Sequence, residues 1–421
     1  MTEKLQNTFF HISVGLAISA CLFWTYFNFL AAEDANVLFN RFNHLSEAPI
    51  FFYYAGYSSA FPQFVAFSFS WLPTALQALL YSAVALFVFY VLLREIFLLT
   101  SSGLAAVFTV ACCAVIYPAA IYNLTSSFWP GLAIVGLIGL RKSIYCAPFI
   151  WRDVFYCIPG LLGSPLAIVF FPLYFWIFAS RRCAPSAVIA ALALASYPLL
   201  ANHSGSRGEP GGLLTSLVDN TSKMVMSPLN YGVNMASFGD LVMSILGLVS
   251  IAMIFSIGFI LLFRMKGSTG KIAFSLFLIG SFATLGISIA ASSVPLQGRY
   301  WFPVVVAAIS VSFYYILSLG INNALRRMQI LMVAMTALAT VGTFAYRGQS
   351  WGGVQAGWSD WRLLASQAPS TTAIIRERHN DGGRWAIGTG NFEMTYSECA
   401  GAREHPFSQE SFGFRIYCGE N

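Results

Sequence analysis

Residues 73–98 read PTALQALLYSAVALFVFYVLLREIFL, with Arg94 and Glu95 as the only charges. Wound as a helix at about 1.5 Å per residue, such a run reaches across a hydrocarbon core of about 30 Å. Apolar runs of about 16 to 25 residues recur along the rest of the chain, each close to spanning length. The whole sequence has 421 residues, 57% hydrophobic and 10% charged, with mean hydropathy +0.68. A soluble domain carries about 25% charged residues. This chain cannot cover a water-facing surface, so a soluble enzyme is excluded. A β-barrel would show short alternating segments instead. The sequence reads as an all-α polytopic membrane protein.

About eleven spans are expected, near 8–31, 73–98, 101–121, 126–141, 147–163, 165–180, 184–200, 240–264, 271–292, 303–321 and 329–346. The segment 147–163 stands apart. It contains Arg152-Asp153 and is broken by Pro159-Gly160, so it reads either as re-entrant or as a span whose charged pair faces the bundle. Lys4, Arg94, Arg141-Lys142, Arg181-Arg182, Arg264, Lys266, Lys271 and Arg326-Arg327 fall on one set of connections. Such clustering marks the cytoplasmic side, leaving the N-terminus inside and the C-terminus outside. The net charge of +6 is scattered at helix ends and forms no basic patch for nucleic acid.

Residues 1–346 thus form a transmembrane domain with outward loops at 32–72 and 201–239. Residues 347–421 form a polar extracytoplasmic tail. The alternation in Arg384–Ile387 and in Phe412–Tyr417 suggests a small α+β unit there. Trp351, Trp358, Trp361 and Trp385 in this tail suit either sugar stacking or interfacial anchoring. Cys399 and Cys418 are the tail's cysteines, and a disulfide between them is expected if the tail is exported. The other six cysteines lie in or beside spans and read as small buried hydrophobes. The five histidines are dispersed, with no zinc spacing.

Chemistry is most legible at Glu33-Asp34, directly after the first span. A partly desolvated carboxylate there gains strength as a general base, although acids are also favoured at helix starts. Leu38, Phe42 and Leu45 recur at helical spacing and suit a short interfacial helix. Tyr53, Tyr54 and Tyr57 follow, either as an aromatic belt or as a surface for a lipid tail or sugar. In Gln297–Pro303, Arg299 suits either a phosphate clamp or snorkelling to headgroups. Asn123–Pro130 offers ligand hydrogen bonds or, equally, a helix cap. Asn123-Leu124-Thr125, Asn202-His203-Ser204 and Asn220-Thr221-Ser222 match the short N-glycosylation pattern, which recurs by chance. Arg94-Glu95 and Arg152-Asp153 are adjacent ion-pair candidates, read as structural before any proton relay.

These features resemble the GT-C superfamily of integral-membrane glycosyltransferases. The likeness lies in the layout and in several short motifs. Glu33-Asp34-Ala35-Asn36, Tyr54-Ala55-Gly56-Tyr57 with Pro62, Asn123-Leu124-Thr125 with Trp129, Ser164-Pro165, and Arg299-Tyr300 before Pro303 look like a bacterial subgroup. Ala35, Gln63 and Phe128 depart from that pattern where Gly, Arg and a polar ring are usual.

The resemblance implies a GT-C-like fold in the bacterial inner membrane and a polyprenyl-phosphate-sugar donor. The acceptor is an envelope glycan or lipid-linked molecule on the outer face. Asp34 is then the general base, with Glu33 orienting the acceptor or sharing that duty. Arg299 and Tyr300 face the donor phosphate, and Tyr54, Tyr57, Asn123 and Trp129 contact substrate. Some members use a divalent metal, so that cofactor stays open, although only two outward carboxylates cluster. Membrane lipids are partners and nucleic acid is not. The competing expectation is a transporter or flippase of a lipid-linked saccharide, which requires charges or broken helices at mid-membrane.

Overall fold

A computed structural model describes residues 3–27, 38, 50–51, 58–72, 74–116, 119–201, 268–291 and 302–318, together with three strands beyond residue 372. The described residues are mostly helical. Helix α1 is Glu3–Phe27, α2 Ala60–Phe69, α3 Thr74–Thr100, α4 Gly103–Ile116 and the short α5 Ala119–Tyr122. Then follow α6 Phe128–Ile144, α7 Trp151–Leu161, α8 Phe171–Arg181, α9 Ala184–Leu200, α10 Ser268–Ala291 and α11 Phe302–Ser318. Three of these contain stretches long and apolar enough to cross a membrane, namely Glu3–Leu22, Leu79–Thr100 and Thr269–Ser288. The expected spans at 240–264 and 329–346 lie outside the described residues, as do both carboxylates of Glu33-Asp34 and the segment around Arg299.

Helix α6 is the axis of the bundle. It packs on α3, α7, α8, α10 and α11, and every residue from Phe128 to Leu140 is buried. Hydrocarbon supplies no hydrophobic drive between helices, so close packing through small residues has to do it. A Cβ on Gly131 would lie 2.5 Å from the Gly160 nitrogen, so α6 and α7 meet backbone to backbone. Gly136 makes room in the same way for the rings of Phe170 and Phe277. The Tyr174 hydroxyl reaches into this seam and donates to the Val135 carbonyl at 2.7 Å.

Several hydroxyls inside the bundle are satisfied within their own helix, as suits a water-free setting. The hydroxyls of Thr100, Thr109, Ser281, Ser288 and Ser310 each donate to the carbonyl four residues earlier. This backbone bonding lets a serine or threonine sit within a helix without an orphaned donor.

The helix in region 147–163 is shorter than a full span. Helix α7 has 11 residues, about 16 Å of rise and about half a hydrocarbon core. Its charged pair is in the first turn, not mid-helix. The chain then turns at Leu162–Ser164. Ser164 accepts from the Leu166 N–H at 3.2 Å, and Pro165 opens a 3-10 turn running to Phe170. Ser-Pro there is thus a cap followed by a residue with no N–H to satisfy. Helix α2 sits within a segment expected as loop. Its apolar run is short, and Pro62 masks it in sequence.

Three short strands, β1 Ala373–Arg378, β2 Arg384–Ile387 and β3 Phe414–Cys418, pair antiparallel in the order β2-β1-β3. Ile375 stands opposite Ile387 on one side and Ile416 on the other. Cys418 ends β3, while Cys399 lies outside the described residues.

Candidate functional site

Three segments far apart in sequence meet at one end of the bundle. The Ser58 N–H donates to the Leu200 carbonyl at 2.7 Å, and the Phe61 N–H to Leu162 at 3.0 Å. The Ser59 hydroxyl donates to the Gly163 carbonyl at 2.5 Å, and the Ser58 hydroxyl to Gln63 Oε1 at 3.1 Å. Ser59 occupies the N-cap of α2, yet its hydroxyl donates to the turn after α7 rather than capping its own helix. Gly163 has no room for a side chain, because a Cβ would meet the Pro159 carbonyl and the Phe128 Cβ. Phe128 follows the Asn123–Ser127 turn, so that turn adjoins the same corner.

Asn123 is 3% exposed. Its Oδ1 accepts from the Thr125 hydroxyl and the Ser126 N–H, each at 2.9 Å. The Ser127 hydroxyl and N–H both go to the Leu124 carbonyl. These bonds fold the segment into a turn that leads the chain through a 3-10 turn into α6. Burial also overturns the glycosylation match at Asn123, since a glycan acceptor must stand in solvent. Trp129 is buried against Phe128, their rings 4.8 Å apart.

This corner is lined by hydroxyls, amides and carbonyls. Segments 58–63, 123–129 and 162–165 hold no carboxylate, histidine, lysine or arginine. Their polar side chains are buried and bonded within the protein, so the corner fixes how these segments meet, and acid–base chemistry has to come from elsewhere. Glu33, Asp34, Tyr54, Tyr57, Arg299 and Tyr300 lie outside the described residues. Helix α1 ends at Phe27 before the first of these, and α11 starts at Phe302 just after the last. Phe302 is fully buried, and three turns on, Tyr314 meets Tyr145 edge-on at 6.4 Å at the opposite end. Among the described residues no group of three or more His, Cys, Asp or Glu lies together for a metal.

The ion pairs of the described residues all lie at that opposite end. Glu95 is fully buried and receives Arg94 Nη1 at 2.9 Å and Arg141 Nε at 2.7 Å. The expected Arg94-Glu95 pair is therefore present and joined by α6. The expected Arg152-Asp153 pair is not formed. Asp153 instead receives Lys142 Nζ at 2.9 Å and the Ile150 N–H at 2.9 Å, closing the first turn of α7. Asp153 turns into the α6–α7 seam, where Lys142 and the Ile150 N–H take up the carboxylate. Arg152 lies over the Tyr156 ring instead, 5.9 Å from its centre. Tyr145 donates to the Leu99 carbonyl at 2.7 Å. Burial first, then Tyr314, push this hydroxyl above its ordinary pKa, against the opposing pull of Arg141.

The residues that sequence inspection passes over are Ser58, Ser59 and Gly163, while Gly160 reads there only as a break in its segment. Their one visible signal is small residues beside Pro62 and Pro159. Comparison with known proteins returns no matching family, no matching curated protein and no matching solved structure.

Proposed function

We propose that this chain is a GT-C-type membrane glycosyltransferase, moving a sugar from a polyprenyl-phosphate donor to an envelope glycan or lipid-linked acceptor. The observation that supports it is the meeting of Ser59, Gly163 and the Asn123–Trp129 turn at one end of the bundle. Each lies in or beside a motif on which the resemblance rests, and nothing in the sequence order requires them to adjoin. The ion pairs at the other end fit a cytoplasmic face, and on that reading the hydroxyl-lined corner is the outer one. About eleven spans, an exported C-terminal tail and a bacterial inner-membrane location complete the proposal.

In this scheme Asp34 takes the proton from the acceptor hydroxyl as its oxygen attacks the anomeric carbon. Glu33 orients the acceptor. Arg299, with Tyr300, stabilises the phosphate that leaves with the bonding electron pair, where charge grows in the transition state. The corner formed by 58–63, 123–129 and 162–165 fixes how these segments meet through neutral hydrogen-bonding groups. The transporter reading needs charges at mid-membrane, whereas Asp153 sits in a terminal turn and is neutralised by Lys142.

The test compares envelope glycans by mass spectrometry between wild type and Asp34→Asn, with membrane abundance measured in both. Loss of one sugar-sized increment at equal abundance is the expected result. Unchanged glycans, in a strain where deleting the gene does alter them, would reject Asp34 as the base and favour transport.

A further inference from the structure

We propose that Arg94 and Arg152, both resting on the Tyr156 ring, bind the phosphate of an anionic phospholipid headgroup in the leaflet at the ion-paired end. The two guanidinium carbons lie 5.6 Å and 5.9 Å from the centre of that one ring. Glu95 takes Arg94 and Arg141. Asp153 is spent on Lys142. Among the described residues Arg152 has no carboxylate partner, and its side chain is exposed. Positive charge therefore exceeds negative at this spot, and planar N–H forks are presented to it. That arrangement suits phosphate oxygens, which accept paired hydrogen bonds from arginine.

The neighbouring surface identifies the source of the phosphate. Trp151 and Phe155, one turn apart on α7, are 62% and 58% exposed, and Ile150 is 41% exposed. An apolar strip directly beside a cationic one matches an acyl chain joined to a headgroup, whereas a free anion would have no use for it. This site lies at the other end of the bundle from the proposed transferase corner and does not depend on that proposal.

The experiment is native mass spectrometry of the detergent-purified full chain, titrated with phosphatidylglycerol, phosphatidylcholine or inorganic phosphate. Phosphatidylglycerol should bind in preference to phosphatidylcholine. Arg152→Gln should weaken it about fivefold, the effect of one basic residue at an anionic surface. Arg152→Lys keeps the charge without the fork and should fall between. Arg182→Gln, an exposed arginine of the same end away from Tyr156, should leave binding unchanged. The thermal midpoint of each variant checks folding. Three results would overturn the proposal: equal binding of the two lipids, equal weakening by Arg182→Gln, or displacement of lipid by inorganic phosphate at similar concentration.

Discussion

The Ser59 hydroxyl donates to the Gly163 carbonyl across 104 residues of sequence, at 2.5 Å. It ties the segment before α2 to the turn after α7, where Gly163 itself is pinned between Phe128 and the Pro159 carbonyl. Ser59→Ala leaves that carbonyl without its donor in a buried setting. A loss of about 0.6–2 kcal/mol is expected, the range for interhelical hydrogen bonds in membranes. Thermal unfolding in detergent measures it.

The contact between Gly131 and Gly160 predicts intolerance at either position. Gly160→Ala drives a methyl into the Gly131 carbonyl, and neither backbone can yield without parting α6 from α7. The expected cost is about 1–3 kcal/mol. Gly286→Ala is the control, with nothing within 4 Å of the added carbon. It should be neutral or stabilising by up to about 1 kcal/mol, since alanine favours the helix. Similar unfolding midpoints for the two variants would contradict the close approach.

Glu95 is the shared anchor of two arginines from different helices. Glu95→Gln leaves Arg94 and Arg141 without a countercharge while keeping the side-chain shape. Breaking a buried pair from one side costs about 3–5 kcal/mol. Here the guanidiniums keep side-chain exposures of 23% and 12%, so the low end is expected. Urea or heat unfolding of the purified protein reads this directly.

Adjacent charges in α7 should behave differently. Asp153→Asn removes the partner of buried Lys142 and weakens the bond to the Ile150 N–H, costing about 3 kcal/mol. Arg152→Gln removes an exposed charge with no carboxylate partner and should stay within about 0.5 kcal/mol. Equal effects on unfolding would show that the two residues pair with each other after all.

Cys146 holds φ at 50° in the turn after α6, a left-handed conformation that costs a side-chain-bearing residue about 1–2 kcal/mol. Its thiol is exposed, donating weakly to the Ser143 carbonyl at 3.9 Å. Cys146→Gly should therefore raise the unfolding midpoint, because glycine adopts this region without strain. A lowered midpoint would mean that the thiol contributes more than the strain removes.

The run 184–200 expected from sequence coincides with α9, Ala184–Leu200, and 73–98 lies close to α3, Thr74–Thr100. Such helices are legible because hydrocarbon offers backbone groups no partner, so a long apolar run has to bond to itself. The Arg94–Glu95 pair was legible for a similar reason, since an unpaired charge in that setting is too costly to leave. Helix α2 was not, because ten residues interrupted by Pro62 carry too weak a period. The partner of Asp153 was not legible either. A carboxylate chooses among cations by the direction its helix face takes, and that direction follows from how α7 lies on α6. The corner joining Ser59, Gly163 and Phe128 is the clearest case of what packing alone decided. It depends on a glycine's missing side chain admitting a neighbour from far along the chain, and sequence records the glycine without recording who approaches it.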